Sequence, residues 1–155
     1  MYQISVKGWC ERMRNKKVAE GLLNEWVKRL GLEDWLINLE VNVDVKEMEN
    51  ADGITYFEDT IKTAKIRIGS EGERENIERR IKYDFERILV HELLHIKFGV
   101  LDIGTPMTYE AKVTDSVMHQ LVEDLAQALV MAKRNEIDRQ KNLICERVVD
   151  CDNRV

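Results

Sequence analysis

One stretch, Phe85 to Phe98 (FERILVHELLHIKF), constrains this chain more than any other. Ile77, Ile81, Phe85, Ile88 and Leu89 recur at helical spacing and lead into it. From Ile88 to Phe98 the residues are apolar nearly all round, apart from Lys97 and the pentapeptide His91-Glu92-Leu93-Leu94-His95. A helix that is apolar on every side is a buried helix. Two histidines and a glutamate on such a helix need partners, because unpaired buried polar groups are costly. On a helix, His91 and His95 lie one turn apart on one face, where both imidazoles reach a single ion. Glu92 projects from the same half of the helix, close enough to act on water without being a ligand. The bland alternative is a pair of core histidines bonded to backbone, with Glu92 in a salt bridge.

A catalytic zinc takes three protein ligands and keeps a fourth position open. The third histidine of the chain, His119, is the first candidate for the missing ligand. It lies on a later helix, at the border of an apolar arc running through Met118, Leu121 and Leu125. The carboxylates Glu110, Glu123 and Asp124 are the alternatives, with Glu110 and Asp124 placed nearer the arc than Glu123. The cofactor expected is Zn2+. Cys10, Cys145 and Cys151 lack C-x-x-C spacing and read as free thiols.

The rest of the chain predicts an α+β fold. Glu11 to Leu30 reads as a helix stopped by Gly31. Trp35 to Val45 alternates, with Trp35, Ile37, Leu39, Val41, Val43 and Val45 on one face, as a half-buried strand does. Asn50, Asp52 and Gly53 predict a turn. Ile54 to Phe57 and Ala64 to Ile68 predict two more strands. The motif helix is expected from about Arg74, with Gly99 closing it. A second long helix is expected from about Tyr109 to Arg134, with Val113, Val117, Met118, Leu121, Val122, Leu125, Ala128 and Leu129 inward. This order predicts a small antiparallel sheet of about three strands packed against helices. A length of 155 residues predicts one domain, with its core at about 11–134 and a C-terminal extension over 135–155.

The charge narrows the function classes. Twenty-four basic against 29 acidic residues give a net charge of −5, so there is no strong nucleic-acid signal. No apolar run reaches the length of a membrane span. The first residues, MYQISVKGWCERMRNKK, lack the apolar core of a secretory signal, so a cytoplasmic location is expected. Oligomeric state is left open.

HELLH preceded by strands and followed by a second helix resembles the zincin metallopeptidases. The glycine and last histidine of the metzincin extension are replaced here by Phe98 and Leu101, so the chain departs from that subclass. It is similar to small gluzincin-like metallopeptidases of phages and mobile elements. The resemblance covers roughly Trp35 to Val130. It rests on the alternating strand, ILVHELLHIKF, Gly104-Thr105-Pro106, and the segment from His119 to Val130. In such proteins the position matching His119 is often glutamate. The resemblance implies zinc-dependent hydrolysis of a protein or peptide substrate, with Glu92 as general base and the substrate paired to an edge strand. The expected edge strand is Ala64 to Ile68. Tyr109 is the candidate to stabilise the oxyanion. The alternative function is a non-catalytic zinc-binding domain with a regulatory or interaction role.

Overall fold

The computed structural model describes residues 16–48, 51–70, 83–99 and 109–152, with side chains throughout except at 45, 109–115 and 143–152. The expectations for Ile77, Ile81, Cys10, Asn50 and the Gly104–Pro106 loop lie outside the described residues. The elements are α1 (Lys16–Arg29), β1 (Leu36–Val43), a single 3-10 turn (Val45–Met48), β2 (Gly53–Glu58), β3 (Thr63–Gly69), α2 (Phe85–Phe98) and α3 (Tyr109–Asp152). No described helix is long and apolar enough to cross a membrane.

The sheet is mixed, which corrects the antiparallel expectation. Its order is β1-β3-β2, with β1 parallel and β2 antiparallel to β3. The segment after β1 crosses the end of β3 before turning back as β2. The C=O groups of Val43 and Asp52, at the two ends of that crossing, accept from Ser70 and Gly69. β3 is therefore the central strand, not the expected edge. Burial explains this, since Ile66 and Ile68 are fully buried and Ala64 nearly so. β1 is shorter than the expected Trp35–Val45. Asn42 adopts φ 60, the β1–β3 register shifts between Val41 and Val43, and Val45 begins the 3-10 turn.

α1 ends as its glycine predicts. Gly31 takes φ 62, its N–H reaches the C=O of Lys28, and the Leu32 N–H reaches that of Val27. This double bond satisfies the last carbonyls of the helix, and buried Leu32 seals it.

α2 is the centre of the molecule. Every residue from Phe85 to Leu94 is buried, including Glu86 and Arg87. It packs mainly on β2 and β3. α1 and α3 pack against it on other sides. It begins later than expected. Asp84 is extended and caps the helix by accepting from the Arg87 N–H at 3.2 Å. Arg134 grips the same carboxylate with two bonds of 2.8 and 3.0 Å.

α3 is longer than expected, and only part of its expected face turns inward, with Leu125 and Leu129 packed against the core. Val122, Ala126, Val130 and Lys133 are buried, whereas Val117 and Leu121 are 62% and 55% exposed. Ala128 is also exposed. Charged partners choose this face. Glu86 on α2 accepts from Lys133 at 2.6 Å, Arg134 at 3.2 Å and the Trp26 indole at 2.9 Å. Lys133 also donates to Glu25 of α1 at 2.6 Å. Removing one member of such a buried network would strand the others, at a cost of roughly 3–5 kcal/mol.

Candidate metal centre

α2 and α3 run antiparallel, and their contacts form a ladder. As α2 advances from Asp84 through Glu86 and Arg87 to His91, its partners on α3 step back. They run from Arg134 through Lys133 to Glu123. One further turn back on α3 is His119. Its ring centroid stands 4.7 Å from that of His91 and 5.6 Å from that of His95. His119 is exposed and sits at the border of the buried Val122–Ala126 stripe, as expected, with its ring turned toward those of His91 and His95.

The three histidines converge. His91 Nε2 and His95 Nε2 are 3.1 Å apart. One nitrogen from each of His91, His95 and His119 can be chosen so that all lie within 4.8 Å of one another, a group that can hold a metal ion. Two nitrogens on one tetrahedral zinc, each at about 2.0–2.1 Å, would be separated by roughly 3.3 Å. The His91–His95 pair, at 3.1 Å, is close to that value.

Electrostatics favour the ligand form of His91. It is buried, and its pKa is pushed down to about 3, first by burial and then by His95, His119 and Arg87. Its imidazole is neutral at neutral pH, as a metal ligand must be. The other ring nitrogen, Nδ1, lies 2.9 Å from Glu123 Oε2. The approach is off the line of an N–H bond, and Nδ1 is a buried polar atom without an aligned partner. A proton on Nδ1 needs this acceptor, and its presence leaves Nε2 bare for an ion. Arg87 pairs with the other oxygen of the Glu123 carboxylate.

Glu92 stands apart from the histidine nitrogens but lines the same cleft. That cleft, of about 230 Å³, is bounded by Gly53, Arg87, His91, Glu92, His119 and Glu123, among others. Glu92 is 4% exposed. Thr55 donates its hydroxyl to Glu92 Oε2 at 2.7 Å, with the Glu92 C=O at 3.2 Å. Burial raises the carboxyl pKa to about 7, with the Thr55 bond pulling the other way. Gly53 makes room for it, since a Cβ there would stand 2.5 Å from Glu92 Oε1.

Of the residues singled out in the sequence, His91, Glu92, His95 and His119 come together. Glu123, weighed there as a third ligand, instead faces His91 Nδ1 and Arg87. Asp124 is exposed and accepts from Gln120 at 3.0 Å, away from the cluster. Tyr109 and Glu110 begin α3, and their side chains lie outside the described ones, as do those of Cys145 and Cys151. Sequence reading missed Thr55, Gly53 and Arg87. Gly53 had a signal, a glycine at the head of a strand, which often marks close approach of another group.

No family model matches the chain, and neither a curated protein nor a solved structure does.

Proposed function

We propose that this protein is a zinc-dependent peptidase of the zincin kind, with His91, His95 and His119 as the metal ligands and Glu92 as the general base. One observation carries the reading. A buried carboxylate, held by Thr55 and uncommitted to any cation among its described hydrogen bonds, faces the same cleft as His91 and His119, two members of the three-nitrogen cluster. A structural zinc site with four protein ligands has no use for such a base, whereas a three-ligand site does. Zinc bound there supplies a Lewis acid that polarises the scissile carbonyl and acidifies water.

The chain's own residues do the rest. Glu92 takes a proton from the attacking water and returns it to the leaving amine. Thr55 holds one of its oxygens in place, and Gly53 leaves the other room. Glu123 keeps the His91 ring oriented. The substrate strand belongs on β2 rather than on β3. Asp52 bonds to Gly69 and the β2–β3 ladder alternates, so Gly53, Thr55 and Phe57 turn their N–H and C=O groups to the outer edge. That edge runs beside Glu92, and an extended peptide added there gains main-chain bonds.

The test is a proteolysis screen of zinc-loaded wild type and Glu92→Gln against a peptide library, read by mass spectrometry, with zinc measured in both. Cleavage by wild type alone, at equal zinc content, supports the reading. Equal cleavage by both would remove Glu92 as the base. Bound zinc without cleavage in either would favour the non-catalytic binding protein.

A further inference from the structure

The sheet has a second open edge, on the side away from the metal centre, and its chemistry matches itself. Among the described residues no strand pairs with the outer side of β1. The Leu36 N–H donates to the Lys62 C=O at 2.8 Å, with Leu36 in register with Thr63. Residues of a parallel ladder alternate between facing the neighbour and facing away. Leu36, Asn38 and Glu40 therefore turn their backbone groups to β3. Ile37, Leu39 and Val41 turn theirs to the open side.

Open edges invite pairing, and natural edges are usually blocked by proline, lysine, inward charge or a bulge. β1 (LINLEVNV) has no proline and no lysine, and its inward side chains are Ile37, Leu39 and Val41. The irregularity at Asn42 comes after all three open residues. The strand begins with Leu36, which is 75% exposed.

We infer that β1 pairs antiparallel with β1 of a second copy of this chain about a two-fold axis at Leu39, joining two three-stranded sheets into one. Two constraints select this register. Centring on Leu39 sets Ile37 opposite Val41 of the other copy and Leu39 opposite its own counterpart. Every residue with outward N–H and C=O groups then exchanges both bonds. Side chains also match. Apolar residues meet on the inner face, and Asn38 meets Glu40 on the outer face. Glu40 already accepts from Lys65 and Arg67 at 2.8 and 3.1 Å, and the Asn38 amide of the other copy adds a donor to that carboxylate. Shifting the axis to Glu40 would set two glutamates face to face, which is unfavourable. It would also place Val43, whose C=O is committed to Ser70, against Ile37. A two-fold contact repeats every off-axis pairing twice, so the preference of Asn38 for Glu40 is doubled.

Sedimentation equilibrium on the full zinc-loaded chain tests this, with Asn38→Glu and Asn38→Lys as variants. Asn38 is exposed, so both variants should keep the wild-type circular dichroism and zinc content. Wild type should show a species of twice the 18.2 kDa chain mass. Asn38→Glu sets two carboxylate pairs in opposition and should weaken the dimer roughly tenfold, whereas Asn38→Lys should hold it or tighten it. A wild-type monomer at every soluble concentration overturns the inference, whether the edge stays open or takes a foreign strand. A dimer that responds equally to both variants also overturns it, by placing the contact on another surface.

Discussion

Glu123 on α3 places a carboxylate oxygen 2.9 Å from Nδ1 of His91, while Nε2 of the same ring faces His95. The two nitrogens of one ring thus face different groups, a carboxylate on one side and a second imidazole on the other. Replacing Glu123 by Ala should weaken zinc binding about 10–100-fold, the usual cost of losing a partner that orients a ligating histidine. Glu123→Gln keeps an acceptor oxygen and should fall between. Competition titration against a chelator measures both, and wild-type affinity in Glu123→Ala would deny the residue this role.

Gly53 governs the seat of the base. In Gly53→Ala the new Cβ would lie 2.5 Å from Glu92 Oε1 and 2.8 Å from its Cγ and Cδ. The carboxylate must shift, and a displacement on the order of 1 Å can cost about 100-fold in rate. Zinc content should not change, because the three atoms nearest the new Cβ all belong to Glu92. The ratio kcat/KM on any substrate found in the peptide screen gives the answer. An unchanged value would mean that Glu92 tolerates the shift and its position is not critical.

Leu89 tests the centrality of α2. It is fully buried on the face that meets the sheet and the neighbouring helices. Leu89→Ala should cost roughly 2–5 kcal/mol in urea denaturation. A loss within about 0.5 kcal/mol would be that of a surface position.

In zinc-stripped protein, stability should carry the signature of Glu92. Its pKa rises from 4.5 to about 7 in the folded state, so the folded chain holds this proton more tightly than the unfolded one. The resulting stabilisation is complete below about pH 4.5 and is lost as pH climbs to about 7. Glu92→Gln cannot lose it. The stability of the variant relative to wild type should therefore rise across that window, by up to about 3 kcal/mol, and level off above it. His91, whose pKa falls to about 3, drives stability the opposite way, but both proteins contain it and the difference cancels. Denaturant titrations at several pH values measure this, and a pH-independent difference would contradict it.

What was legible in the sequence was local. HELLH packs two ligand candidates and a carboxylate into five residues, so its chemistry survives without knowledge of the fold. Alternation located β1 and β3 to within two residues. Strand order was not legible, because a strand passing over its neighbour leaves no mark on the period of its side chains. The inward face of α3 was legible only in part, at Val122, Leu125 and Leu129, for a different reason. Counting apolar residues favours Val117 and Leu121, yet that face is chosen by Glu123, Lys133 and Arg134, whose partners Arg87, Glu86 and Asp84 lie on another helix. Hydrophobic periodicity cannot weigh a buried ion pair. The same blindness hid the role of Glu123, which as a sequence letter is only one more charge on a long polar helix.

The central claim is that His91, His95 and His119 together hold one zinc ion. The most direct measurement is the zinc K-edge absorption spectrum of the purified chain loaded with one equivalent of metal. The account predicts three imidazole ligands at about 2.0–2.1 Å, one further light-atom ligand, and no sulfur near about 2.3 Å. A sulfur shell, or a first shell with fewer than three imidazoles, would contradict it.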